Sequence, residues 1–300
     1  MGTDVEVLAL GAGDATMNEL GARAADALEV REAHWSRFRP TSELSRLNDA
    51  GGAPVVLSRG TFGLIARAVD AWRETGGRYD PTVLAALEDA GYDRDFDAVA
   101  RTGGATPTEV ATVPGCADVE LDQLVSAVRL PPGVRLDLGG IGKGAAADEV
   151  SEELLASAPP DVRGVLVNLG GDLRARGDAP APHGWVVEVD DPLATGSTGL
   201  LAFAGGAIAT STRLRRAWTR DGRALHHLID PRTGAPADSG LASVTVVAGE
   251  AWRAEVLAKA AFVAGATDGA DLIGRAGATG LLVTDAGDVV ELPGLATFRP

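Results

Sequence analysis

Cysteine is nearly absent: Cys116 stands alone among 300 residues. An intrachain disulfide framework and a cysteine-based zinc site are therefore excluded, a reducing compartment is indicated, and Cys116 itself reads as a small core residue. Positive charge is also scarce. The 27 Lys and Arg face 42 Asp and Glu, for a net charge of −15, which argues against a nucleic-acid groove or an anionic membrane surface as partner. Any anionic ligand must be met by a local cationic pocket. No apolar run approaches the roughly 18 residues of a membrane helix, and the N-terminus lacks a basic segment followed by an apolar stretch and a cleavage site. A cytoplasmic protein is the expectation for the chain as given, and a leader removed ahead of it would leave no trace.

Histidine is limited to four residues, and the adjacent His226 and His227 would point to opposite faces of a strand, which disfavours a zinc site. No G-x-S-x-G elbow is present, so a Ser-His-Asp hydrolase lacks its nucleophile turn.

What the chain does have is core-forming material, 45% hydrophobic, enough for one large domain or two fused lobes. Strands are predicted at Val5–Leu10, Ala127–Leu130, Val134–Leu138, Val165–Leu169, Trp185–Val189, Leu200–Phe203, Ala207–Ser211, Leu225–Ile229, Val244–Val247, Leu281–Thr284 and Val289–Leu292. Helical spacing runs through Met17–His34, from Ser42, through Thr61–Trp72, Asp148–Leu155, Ala251–Val263 and Asp268–Arg275. Strands in hairpin runs between helices, without a steady βαβ rhythm, predict an α+β fold with antiparallel sheets and packed helices. Residues 1–300 are read as a single domain. Arg174–Gly184 reads as a loop and a weak lobe boundary, and Arg101–Pro114 as another.

Three segments could carry chemistry. Leu136–Asp148 runs from a strand through Gly139-Gly140-Ile141-Gly142-Lys143 into a helix start. Glycines aim backbone N–H groups, a helix N-terminus favours negative charge and Lys143 adds a cation, which together suit a phosphate. An ordinary glycine turn with an exposed lysine fits the same spacing, since neither the P-loop nor the G-x-G-x-x-G pattern is met. His226–Pro236 puts two histidines, Asp230 and Arg232 at a Pro-Gly turn. An imidazole there could take a proton, Arg232 could fork onto phosphate oxygens, and Asp230 could orient the ring or simply bond local backbone. On the helix of Ala254–Lys259, Glu255 and Lys259 lie one turn apart, the pattern of a surface ion pair. Trp35, Phe38, Trp72 and Trp218 are candidates for stacking on a flat ring or for the core.

In order along the chain, Met1-Gly-Thr3, Phe38–Asn48, Tyr79–Val83, Gly91-Tyr-Asp93, Leu136–Gly144, Val167-Asn-Leu-Gly-Gly-Asp172, Ala209-Thr-Ser211, His227–Gly234 and the Ala254–Phe262 helix resemble the ApbE-type FAD:protein FMN transferase family, once called thiamine-biosynthesis lipoproteins. The likeness covers nearly the whole chain.

The resemblance implies a T-fold-like α+β fold with FAD in a cleft and Mg²⁺ beside its diphosphate. It implies transfer of FMN to a Thr or Ser hydroxyl of an acceptor protein with release of AMP. FAD hydrolysis to FMN and AMP, or FAD binding without catalysis, are the alternatives. By position, Met1, Phe38, Gly91, Tyr92, Asp93, Asp137 and Lys143 would contact FAD, with Arg232 on its phosphates. His227 would be the base, and Gly140 would offer a carbonyl to the metal. Two positions depart from the family: Glu255 and Lys259 stand where Asp and Thr usually bind Mg²⁺. Glu255 could still bind Mg²⁺ if the helix shifts slightly, and Lys259 is expected either to put its ammonium in the metal's place, held by Glu255, or to tilt aside and leave a weaker metal site. Phe38 stands where Tyr is common, which keeps stacking and drops a hydroxyl.

Overall fold

The computed structural model describes residues 2–96, 99, 112–194 and 196–300. Met1 and most of the predicted loop at 101–114 lie outside the described residues. The chain divides into two compact units, one built from residues 1–2, 31–142 and 213–238, the other from 3–30, 143–212 and 239–300. Helix α1 (Asp14–Trp35) contributes residues to each. The stretch 174–184 falls inside the second unit and marks no edge of either.

The first unit holds helices α2 (Glu43–Asn48), α3 (Arg59–Glu74) and α4 (Leu84–Asp89). Its three-stranded sheet joins β2 (Val55–Val56), β3 (Glu120–Asp122) and β4 (Ala127–Arg129) in the order β2-β4-β3. The first two helices start where hydroxyl caps dictate. Ser42 Oγ accepts the Ser45 N–H at 2.9 Å and Ser58 Oγ that of Thr61 at 3.3 Å, each satisfying a donor the helix leaves open. Two short ladders complete the unit: β10 (Ala217–Arg220) with β11 (Arg223–His226), and β12 (Ile229–Asp230) with β13 (Ala235–Pro236).

Two sequence expectations need correction here. Val134–Leu138 joins no ladder. The Asn48 side chain takes the place of a neighbouring strand, accepting the Leu136 N–H at 2.8 Å and donating to its carbonyl at 2.9 Å. The predicted strand Leu225–Ile229 is interrupted after His226, because the His226 ring bonds the backbone two residues on.

The second unit is built on an antiparallel seven-stranded sheet in the order β1-β5-β6-β9-β14-β15-β16. Its strands are β1 (Val5–Leu10), β5 (Gly164–Leu169), β6 (Asp172–Gly177), β9 (Gly206–Thr212), β14 (Leu241–Ala248), β15 (Thr279–Thr284) and β16 (Val289–Glu291). Strand β6 occupies the first part of the predicted loop at Arg174–Gly184, since Leu173 and Ala175 alternate into the core. The hairpin β7 (Trp185–Asp190) with β8 (Ser197–Phe203) covers one sheet face. Trp185, Leu201 and Phe203 pack there with Leu166, Ile208, Val247 and Leu281. The alternate residues Val165, Val167, Ala209, Val244 and Val246 are buried on the opposite face. Helix α6 (Ala251–Ala264) packs along β6, β9 and β14. It is apolar on nearly every side, as a core helix should be. Helices α5 (Gly142–Ala156) and α7 (Ala266–Arg275) complete the unit. The α+β class expected from the sequence is the class observed. No described helix is long and apolar enough to cross a membrane.

Candidate active site

In the first unit the candidate residues gather around Arg37, which the sequence reading passed over. Its Nε lies 2.6 Å from Asp137 Oδ2, with both side chains nearly buried. Its Nη2 donates to the Tyr92 carbonyl at 2.7 Å. The guanidinium carbon sits 4.2 Å from the Phe38 ring centre and 4.7 Å from that of Tyr92, a cation–π geometry. Asp137 Oδ1 accepts the Gly139 N–H at 2.6 Å, so one carboxylate ties the glycine turn to the arginine. Tyr92 also packs against Phe38, Phe96 and Trp218, each ring centre 5.9 Å away. Burial pushes its phenol pKa up. Trp35 belongs to the core, and Trp72 lies against Gly77 and Gly115.

Gly91 closes α4 at φ +100°, and a Cβ there would come within 2.9 Å of Arg220 Nη1. That guanidinium is held by the Asp89 carbonyl at 2.8 Å, so the position admits only glycine. The neighbouring Asp93 pairs with Arg94 at 2.8 Å on the surface, and that bond holds its carboxyl below the usual range.

The two adjacent histidines have different surroundings. His226 is buried, its Nε2 facing the Ala237 carbonyl at 3.1 Å while Nδ1 accepts the Leu228 N–H at 3.2 Å. Both ring nitrogens are thus engaged by backbone in the neutral Nε2–H form. His227 follows the last β11 residue, is half-buried, and donates its backbone N–H to Arg216 at 3.3 Å. The Asp230 carboxylate accepts from Arg232 N at 2.9 Å, Nε at 3.1 Å and Nη2 at 2.7 Å. Burial alone would raise the Asp230 pKa, and the bonds from Arg232 outweigh it and bring it down. Asp230 therefore shapes the turn and grips the fork of Arg232, the local-backbone option left open in the sequence.

In the second unit, Lys143 lies between two carboxylates. Its ammonium is hydrogen-bonded to Asp172 and lies 3.1 Å from Glu255 Oε1. Glu255 Oε2 accepts the Gly144 N–H at 2.9 Å. Both acid side chains are buried and Lys143 is largely so, which overturns the surface-pair reading of Glu255. Burial pushes the Asp172 carboxyl up to about 6, against the pull of the Lys143 ammonium; Glu255 adds to the rise and Lys259 opposes it. Lys259, half-buried one turn beyond Glu255 on α6, thus acts on the same centre through its charge.

Asp172 was not singled out from the sequence. Its position follows from the hairpin Leu169-Gly170-Gly171-Asp172, where both glycines have positive φ, +64° and +100°, the requirement of a two-residue turn. Asn168 Oδ1 accepts the Gly171 N–H at 2.8 Å and braces that turn. Gly144 has a packing reason as well, because a Cβ there would lie 2.4 Å from the Ala251 carbonyl oxygen. The close approach lets Asp148 of α5 accept the N–H groups of Ala251 and Trp252 at 3.0 and 2.9 Å, capping α6.

A profile of the ApbE family matches residues 1–282. The chain belongs to the ApbE family. Among related proteins, the FAD:protein FMN transferase of Treponema pallidum is 33% identical over 255 residues, covering 79% of this chain and 69% of that one. The protein of the same name from Rhodobacter capsulatus is 31% identical over 288 residues, covering 91% of this chain but only 53% of its own. The crystal structure of the ApbE protein of Thermotoga maritima superposes with a TM-score of 0.85 at 26% identity, over 99% of this chain and 96% of that one. The flavin transferase ApbE of Vibrio cholerae has the same fold, with a TM-score of 0.80 at 24% identity.

The ApbE resemblance implied Mg²⁺ on Glu255 and the Gly140 carbonyl. The donors around Glu255 do not fit it. One oxygen is taken by the Gly144 N–H, and the other, buried and without a hydrogen bond, lies 3.1 Å from the Lys143 ammonium. Unit charges roughly 4 Å apart interact by about 4 kcal/mol even at an effective dielectric of about 20. The Lys143 ammonium therefore offsets part of the attraction that the Asp172 and Glu255 carboxylates would exert on a divalent ion.

Proposed function

We propose that this ApbE-family chain is an FAD:protein FMN transferase, moving FMN from FAD onto a Thr or Ser hydroxyl of an acceptor protein. The observation that carries the reading is a likeness to proteins of that name running through nearly the whole chain. The half-buried Phe38 ring supports it, because a partly exposed aromatic ring is a stacking surface for a flavin or adenine ring.

The acceptor hydroxyl attacks the phosphorus on the riboflavin side of the diphosphate. A new P–O bond forms, the bond to the AMP phosphate breaks, and AMP leaves with the electron pair. His227 takes the hydroxyl proton. Charge builds on the phosphoryl and leaving oxygens, and the exposed guanidinium of Arg232 is assigned to lower its energy. Met1, Phe38, Gly91, Tyr92, Asp93 and Asp137 are assigned to FAD, with Asp137 oriented by Arg37 and the Gly139 N–H.

Incubation with FAD and a candidate acceptor, followed by in-gel flavin fluorescence, tests this. The expected result is a fluorescent acceptor band with AMP formed in equal amount. FMN released free would point to water as the acceptor, and intact FAD after hours would overturn the assignment.

A further inference from the structure

Two buried carboxylates that reach one point from different elements are a donor set for a hard cation. Asp172 comes from the first residue of β6 and Glu255 from the middle of α6, and their side chains are 2% and 4% exposed. The cation between them is an ammonium. Lys143, the second residue of α5, is hydrogen-bonded to Asp172 and 3.1 Å from Glu255 Oε1. Backbone completes the cradle, since the Gly144 N–H occupies Glu255 Oε2.

Two carboxylates face Lys143 directly, and Lys259 adds a second positive charge that bears on Asp172. The ammonium donates a hydrogen bond to Asp172 and meets Glu255 by charge, and it needs to shed none of the tightly held water of a small divalent ion. For such an ion to enter, Lys143 would have to withdraw and leave its own charge elsewhere, and Lys259 would still repel the newcomer.

We propose that Lys143 is the resident cation of the Asp172–Glu255 pair, that this centre takes no divalent ion while Lys143 is in place, and that flavin transfer here runs without one. The last clause rests on the proposed transferase activity; the first two do not. Removing the ammonium leaves two buried carboxylates against the single positive charge of Lys259, and the vacated point then becomes a divalent site.

Titration of the intact protein with Mn²⁺, followed by the electron-paramagnetic-resonance signal of free Mn²⁺ with and without saturating FAD, tests the occupancy. The wild-type chain should show no site tighter than about 1 mM, a weak limit for carboxylate sites. Lys143→Gln should gain one Mn²⁺ per chain at least about tenfold tighter, and Lys143→Gln/Glu255→Gln should lose it again. A wild-type chain that binds one Mn²⁺ in the micromolar range, abolished by Glu255→Gln, overturns the proposal, as does a folded Lys143→Gln that gains no ion. The wild-type titration decides even if Lys143→Gln does not fold. Transfer measured after exhaustive chelation tests the last clause: retained turnover supports it, and a loss that Mg²⁺ restores overturns it. A parallel FAD titration by flavin fluorescence separates the two readings, since absent FAD binding removes the transferase assignment and leaves the Mn²⁺ result standing.

Discussion

Arg37 and Asp137 form a nearly buried ion pair, Nε to Oδ2 at 2.6 Å, and through it the glycine turn after Asp137 is tied to the Phe38–Tyr92 aromatic pair. Arg37→Met keeps the apolar stem and strands the Asp137 carboxylate. Breaking one side of such a pair costs about 3 kcal/mol or more, which a urea melt reads directly. FAD affinity should fall in the same variant, and Arg37→Lys should restore stability better than affinity, because an ammonium cannot grip Asp137 and the Tyr92 carbonyl with a planar fork.

The two neighbouring histidines should separate cleanly. His227→Ala is expected to slow transfer roughly 10²-fold or more, the range for loss of a general base, with little change in FAD affinity. His226→Ala strands the buried Ala237 carbonyl and the Leu228 N–H, and about 1–3 kcal/mol of stability should go with them. Turnover unchanged in His227→Ala would take that residue out of the mechanism.

Acid should expose the Asp230–Arg232 bond. The folded carboxyl lies below its ordinary value, so its contribution is present above the unfolded pKa of about 3.9 and is lost as pH falls through the lower folded pKa. Asp230→Asn should therefore be less stable than wild type at pH 7. Arg232 is 61% exposed and water screens the pair, so the difference should be no more than about 1 kcal/mol. Melts repeated towards pH 2–3 should show the two proteins converging; a gap that widens in acid would contradict this account.

Two alanine substitutions in the first turn of α5 should have opposite signs. At Gly142 an added Cβ meets nothing within 4 Å, and a better helix former should raise stability by up to about 1 kcal/mol. At Gly144 the same atom lies 2.4 Å from the Ala251 carbonyl oxygen and 2.6 Å from Trp252 Cα. Both are backbone and cannot move aside cheaply, so Gly144→Ala should cost several kcal/mol or prevent folding, at the upper end of the roughly 1–3 kcal/mol of ordinary overpacking. Thermal melts of the pair settle it.

The glycine-lysine segment shows how far local reading reached. Its helix start was legible because glycine, alanine and helical spacing are short-range signals. Whether Lys143 faced solvent, a phosphate or another side chain was not, because its partners are 29 and 112 residues further along the chain. Arg37 and Asp172 were missed for the same reason. Neither sits in a pattern that marks it alone, and each matters only through what packs beside it. Val134–Leu138 has the composition of a strand yet pairs with one asparagine side chain, since strand pairing depends on a neighbour that local propensity does not name.

By itself the sequence determined the elements with strong periodicity, the helix start at Ser42 and the order of motifs that marks the ApbE family. These depend on residues a few positions apart, where backbone geometry leaves little choice. Tertiary structure decided which charge meets which. Three separate segments put the Lys143 ammonium between Asp172 and Glu255, and burial there makes the identity of that counter-ion a matter of packing rather than of composition.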